Sequence, residues 1–198
     1  MDLLKAKENL EKRGYTVRIF DTCEEAAVYL DESIRDTTVG TGGSMTLDAL
    51  NILERLEKHN TVYYRNRSKD IDDARKAMSA AVYITSANAV SENGEIVNID
   101  GAGNRVAAAS FDKERLYYVI GTNKIVPTLE DAITRARTIA APLNAARLNR
   151  DTPCAGKPGK CYDCASQDRL CRNISITLGR MLSIGSVEVI IIKQDLGY

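Results

Sequence analysis

The stretch TTVGTGGSMTLDALNILERLEKH, residues 37–59, decides the fold. It opens on a short run, Thr37-Thr-Val-Gly40, that reads as a strand entering glycine-rich sequence. Leu47, Leu50, Leu53 and Leu56 then recur at helical spacing, so Met45 to His59 reads as one helix with a single apolar face. Strand, glycine turn, helix is the unit from which parallel sheets are built.

The alternation continues outward in both directions. On the N-terminal side, Leu3, Leu4, Ala6, Lys7 and Leu10 repeat at helical spacing up to Gly14, and Tyr15 to Phe20 alternates as a strand. Asp21-Thr22 offers an N-cap, and Glu24 and Glu25 favour the positive end of a helix reaching Ser33. On the C-terminal side come a strand at Thr61–Tyr64, a helix at Ile71–Ser79 and a buried strand at Ala81–Thr85. The pattern predicts a mainly parallel sheet with helices on both faces. Val90 to Val97 then reads as a hairpin, because Asn93-Gly94 suits a type I′ turn. Leu116 to Gly121 is a further strand. Thr128 to Asn149 is the longest helix, with Leu129, Ile133, Ile139 and Leu143 inward and Pro142 as a kink or break. Ile174–Leu178 and Val187–Lys193 close the chain as two strands.

At 198 residues, one domain over 1–198 is expected. The core must be aliphatic, since there is no Trp and only two Phe. The 27 basic and 27 acidic residues cancel, which removes the global field that would steer the chain to nucleic acid or an anionic membrane. Residues 1–14 alternate charge with Leu and lack the apolar run of a signal peptide. No stretch approaches the ~20 apolar residues of a spanning helix. A cytoplasmic protein is expected.

Two polar segments interrupt the apolar pattern. In the first, Gly42, Gly43, Ser44 and Thr46 lie between a strand and a helix, where glycines let backbone approach a phosphate or carboxylate and hydroxyls donate to it. A tight turn with Ser44 as N-cap explains the same residues with nothing bound. The second gathers Asn88, Asp100, Gly103, Asn104 and Arg105. Arg105 either reaches an anion bidentately or pairs with Asp100 as a strut. The strand ends carrying Gly40, Ser86 and Gly121 should share one sheet edge, outside which ligands of open α/β sheets bind. A pocket for a small anionic ligand is therefore expected there.

Five cysteines fall unevenly. Cys154, Cys161, Cys164 and Cys171 crowd into 18 residues inside a loop spanning 149–173, and Cys23 stands alone. Cys-x-x-Cys lets two thiolates grip one metal from a single turn, with the outer pair completing four ligands. The spacing resembles the iron–sulfur loop of the endonuclease III type of DNA glycosylase, with one extra residue in the last gap. It favours a [4Fe–4S] cluster, with zinc as the alternative. Cys23 reads as a small buried hydrophobe, and His59, the single histidine, as a solvated helix-end residue.

Taken together, the motifs resemble LutC/YkgG proteins, the LUD domain. The resemblance rests on Val39-Gly-Thr-Gly-Gly-Ser-Met-Thr-Leu47, Thr85-Ser-Ala-Asn-Ala-Val90, GEIVNIDGAGNRVAA at 94–108 and Gly121-Thr-Asn-Lys-Ile-Val-Pro127. It extends through Ala140-Ala-Pro-Leu-Asn-Ala145 and the run from Thr152 to Cys171, the latter resembling the branch that carries a cysteine loop. It implies a fold like the NagB/RpiA/CoA-transferase group. It also implies a place in oxidation of lactate to pyruvate, beside iron–sulfur redox partner proteins.

Two functions of different class are then open. One is an accessory subunit whose cysteine loop holds a metal and whose glycine turn binds a small hydroxy- or keto-acid or a phosphorylated ligand. The other is an enzyme of the CoA-transferase or sugar-phosphate isomerase kind. Ser91-Glu92-Asn93-Gly94 resembles the motif in which class I CoA transferases carry a catalytic glutamate, making Glu92 a candidate nucleophile. The sequence departs from that motif after Gly94. A zinc-stabilised binding domain is a third possibility.

Overall fold

The computed structural model describes residues 1–64 and 71–198. Its strands are β1 Thr16–Phe20, β2 Thr38–Thr41, β3 Thr61–Tyr64, β4 Val82–Thr85, β5 Ala89–Ser91, β6 Ile96–Asp100, β7 Lys113–Gly121, β8 Ile125–Val126, β9 Asn173–Thr177 and β10 Ile184–Ile192. The helices are α1 Leu3–Lys12, α2 Cys23–Ser33, α3 Met45–Leu50, α4 Ile52–Leu56, α5 Ile71–Ser79, α6 Asn104–Ala108, α7 Leu129–Arg135 and α8 Ala141–Arg147. Among these residues no helix is long and apolar enough to cross a membrane.

Six strands pair in parallel in the order β1-β10-β7-β4-β2-β3. The central strands are buried on both faces, which is why β10 reads as a continuous apolar run. Period-two geometry sends Leu116, Tyr118 and Ile120 of β7 to one core and Tyr117 and Val119 to the other. One core is closed by α2, α3 and α4. The opposite one is closed by α1, α6 and a second sheet, ordered β8-β5-β6-β9. The long C-terminal helix covers that second sheet, with Ala132 and Ala136 against Ala89, Val97 and Ile99. The mainly parallel, doubly covered architecture expected from the sequence is therefore present. The two closing strands exist as well, but they join different sheets: β9 pairs with β6, and β10 inserts between β1 and β7.

Three local expectations are corrected. The helix expected over Met45–His59 is two short helices, broken at Asn51, whose φ of 48° is left-handed. Asparagine tolerates that region, and Leu47, Leu50, Leu53 and Leu56 stay buried across the break. The hairpin is not type I′, because Gly94 (φ 90°) has left-handed φ and Asn93 does not. The turn closes through Gly94 N–H to Ser91 O and Ser91 N–H to Glu95 O, as in a longer loop with a glycine bulge.

Pro142 does not end its helix. A π segment at Ala136–Ala140 joins α7 to α8, and the Thr138 carbonyl, which Pro142 has no N–H to meet, accepts from Gly159 N–H at 2.7 Å. The segment also shifts the helical phase. The buried face is then small, with Ala132, Ala136, Ala140 and Ala145 inward, and Ile139 is exposed.

Close approach of backbone to backbone fixes β2 under α5. A Cβ built on Gly40 would lie 2.0 Å from the carbonyl oxygen of Ala77. We expect Gly40→Ala to cost about 3 kcal/mol in chemical denaturation, because helix and strand must separate to admit one methyl. A loss near zero would show that α5 is not seated on this strand.

Candidate functional site

Because all six strands of the large sheet are parallel, their carboxyl ends share one edge. β2 leads outward to β3 and β4 leads inward to β7, so the connections diverge between β2 and β4. A crevice opens at such a point. Here it is a cavity of about 840 Å³, lined by the segments that follow β2, β4 and β7, the Asp100 bend, α8, the cysteine loop and the C-terminal tail.

The cavity brings the two expected polar segments together. Gly43, Ser44 and Thr46 line it from one side, with Asn88, Asp100, Asn104 and Arg105 on the other. Gly42 and Gly103 are not in the lining. Gly42 instead packs on the Arg105 side chain, which a Cβ there would meet at 2.4 Å. Gly103, with φ 84°, is the residue from which α6 starts. Several lining residues also have local structural work. The Ser44 hydroxyl accepts from Leu47 N–H at 3.3 Å as N-cap. Asp100 accepts from the backbone N–H groups of Ala102, Arg105 and Val106 at 3.0–3.3 Å. Its carboxylate lies 3.6 Å from Arg105 Nε, so the strut expected from the sequence forms. Arg105 also donates to Ile99 O at 2.5 Å.

The residue at the centre of the site is Lys124, which sequence reading passed over. It sits in a one-turn 3₁₀ helix between β7 and β8 and is 3% exposed. Its Nζ donates to Thr46 Oγ1 and Ser86 Oγ, each at 2.9 Å. Ser86 Oγ in turn donates to Thr46 Oγ1 at 3.3 Å, and Thr46 to Leu196 O at 3.3 Å. Each of these hydroxyl and amine groups follows the carboxyl end of a different strand, so only the closed sheet brings them into contact. The tail completes the enclosure: Leu196 N–H donates to Asn123 Oδ1 at 3.1 Å, and Gly197 lies beside Nζ.

Burial disfavours the ammonium, and the nearby Arg135 and Arg105 guanidinium groups disfavour it further, so the Lys124 pKa is lowered to about 7. Arg135, also buried, is tied to the carbonyls of Asn88 and Asn123 at 2.5 and 3.0 Å. Around the mouth, Arg105, Arg147, Arg150, Arg169 and Arg172 join Lys124 against three side-chain carboxylates, those of Asp48, Asp100 and Asp168, and the terminal residue Tyr198. The cavity is thus locally basic although the chain as a whole is neutral. It can hold an anion, and its amine can take or give a proton near neutral pH.

Glu92 lies elsewhere. It is outside the cavity lining, and its carboxylate accepts from Asp2 N–H at 2.6 Å and from Lys5 Nζ at 3.3 Å. The hydrogen bond from Asp2 holds its pKa below the ordinary carboxylate range. Pinning the start of α1 to the hairpin uses this carboxylate structurally. Cys23 is half-buried, with its pKa raised by burial and its Sγ 3.0 Å from Gln194 Oε1.

The cysteine loop forms one cavity wall through Gln167 to Leu170 and Arg172. It is seated on the Asp100 bend by the Arg172 N–H to Asp100 O bond at 3.2 Å. Its four thiols are unbridged and half-buried. Cys154 lies 3.6 Å from the Thr152 hydroxyl, Cys161 accepts from Asp163 N–H at 3.4 Å, and Cys171 accepts from Arg169 at 3.4 Å. Among the described residues no three His, Cys, Asp or Glu side chains group as a metal-holding set.

This architecture defines an α/β protein with a basic ligand cavity at the carboxyl edge of a parallel sheet. The family model described as the LUD domain matches residues 3–192, and the chain belongs to that family, which relates it to lactate utilisation. Among solved structures it is similar to a DUF162 family protein from Deinococcus radiodurans, with 12% identity and a TM-score of 0.55, covering 96% of this chain and 95% of that one. That likeness supports the fold alone. No curated protein matches it.

The lowered Lys124 pKa has a signed consequence for stability. Below about pH 7 the folded chain bears the whole cost of burying a charge; from there to 10.5 the unfolded chain binds more protons, so stability rises with pH. We expect Lys124→Met to gain most over wild type below pH 7. Its advantage should shrink by up to about 1.4 kcal/mol per pH unit above that. Denaturation at acidic and alkaline pH measures the difference, and a constant one would mean that the amine titrates normally.

Proposed function

We propose that this protein is an anion-binding component of lactate utilisation, whose cavity holds a small organic acid or a phosphorylated ligand. The observation that carries the reading is the buried Lys124 amine, 2.9 Å from two hydroxyls, at the inner end of an arginine-lined cavity. Size refines it. Cavities of about 300–1,000 Å³ suit drug-sized ligands. A three-carbon acid would fill only the corner at Thr46, Ser86 and Lys124, leaving the arginine-rich outer part for a second anionic group or for a neighbouring protein. The CoA-transferase alternative has less support, since Glu92 accepts from Asp2 N–H and is not among the cavity-lining residues.

Calorimetry with lactate, pyruvate and inorganic phosphate tests this reading. Binding of at least one of these, weakened tenfold or more in Lys124→Met, about 1.4 kcal/mol, supports it. No binding of any, or equal binding by the variant, contradicts it.

The cysteine spacing supports a second part: the 149–173 loop rearranges to gather a metal, a [4Fe–4S] cluster or zinc, and presents a surface to iron–sulfur redox partners. No step in the cavity is routed through that group. Anaerobically purified protein with iron and sulfide near four per chain supports the cluster. Stoichiometric zinc makes the loop structural, and the absence of both retires the metal.

A further inference from the structure

We infer that Lys124 is a carbonyl-capturing amine, condensing with the keto carbon of a 2-oxo acid to form an imine inside the cavity. The inference rests on the anion-binding reading and goes beyond it by assigning a covalent step and a substrate class.

Three features of the geometry point to capture rather than simple ion pairing. First, among the described residues no carboxylate hydrogen-bonds to Lys124 Nζ; its partners are the uncharged hydroxyls of Thr46 and Ser86. A lysine kept as a permanent cation in a buried site is ordinarily given a counter-ion. Second, the Ser86–Thr46 hydroxyl pair touches Nζ and can relay protons over the distances that imine formation needs. Third, Arg105 lines the same cavity as Lys124, and its positive charge bears on the amine. A 2-oxo acid carries its carboxylate on the carbon next to the ketone, where a guanidinium on the cavity wall can meet it.

The step balances without an oxidant. The lone pair of neutral Lys124 forms the N–C bond as the carbonyl π pair moves to oxygen. That oxygen takes a proton through the Ser86–Thr46 hydroxyls, and nitrogen returns one to them. The remaining N–H proton of the carbinolamine passes through the same hydroxyls to its OH, which leaves as water with the C–O pair while the nitrogen pair forms the C=N bond to Lys124. At neutral pH an ordinary lysine is almost wholly protonated and cannot begin this sequence. Burial and the two guanidinium groups supply neutral amine at Lys124. Other charged groups around it are Asp48, Asp100, Asp168 and the Tyr198 terminus in the cavity lining, and Asp195, which acts on Arg135; among the described residues none forms a salt bridge with the amine.

Incubation of the full chain with pyruvate and cyanoborohydride, followed by peptide mapping, tests the inference. The expected result is a reduced adduct on Lys124, formed about tenfold or more faster than on any other lysine. Its rate should rise between pH 6 and 8 and then flatten. Lys124→Arg should give no adduct at residue 124, and Ser86→Ala should slow trapping while leaving the fold intact by circular dichroism. If calorimetry shows pyruvate binding while Lys124 stays unmodified, the covalent step is overturned and the anion site stands. If pyruvate neither binds nor traps, the imine falls, and the anion site falls with it unless lactate or phosphate still binds.

Discussion

Taking an amine out of water is among the costlier things a fold can do, and here that cost is concentrated at Lys124. An ammonium transferred to a protein interior loses its hydration, and the loss is offset only by a partner charge or by giving up the proton. Among the described residues two hydroxyls and no carboxylate meet Nζ, and the pKa lowered to about 7 moves the amine toward the second course. The rest of the site follows from this choice. The hydroxyls must be close, the guanidinium groups must be near enough to oppose the charge, and solvent must be kept out by the tail that passes beside Nζ.

The parallel sheet is what makes the arrangement attainable. Thr46, Ser86 and Lys124 are separated by 38 to 78 positions in the chain, and each comes just after a strand that runs in the same direction. Parallel pairing stacks their carboxyl ends on one edge, and the second sheet holds β8, immediately after Lys124, against β5. The Asp100 bend enters from that second sheet. Its Arg105 passes against Gly42, so the glycine turn functions as a seat for a guanidinium as well as a cavity rim.

Much of this was legible beforehand. The alternation of strands and helices, the buried character of the central strands and the meeting of two polar segments at one edge all follow from periodicity and the parallel-sheet rules. Burial came out differently where local patterns were ambiguous. Ile139 faces outward because the π segment around Pro142 shifts the helical phase, which residue spacing alone does not reveal. Asn51 splits a helix whose leucine spacing is unbroken. Lys124 was invisible because a lysine after a strand is ordinarily solvent-exposed. The one available signal was its place in Gly121-Thr-Asn-Lys124, a polar run wedged between two apolar strands. In the cysteine loop, spacing points to a shared ligand set, while the residues the loop gives to the cavity wall, Gln167 to Leu170 and Arg172, carry no thiol.

The central claim is that one lysine near neutral pH is only partly protonated inside this protein. Titration of the Lys124 side chain by NMR, with the ε-carbon resonance assigned by comparison with Lys124→Met, measures this directly. The account requires a midpoint of about 7. A midpoint at the ordinary value of 10.5 would contradict it, leaving the cavity without a neutral amine at physiological pH.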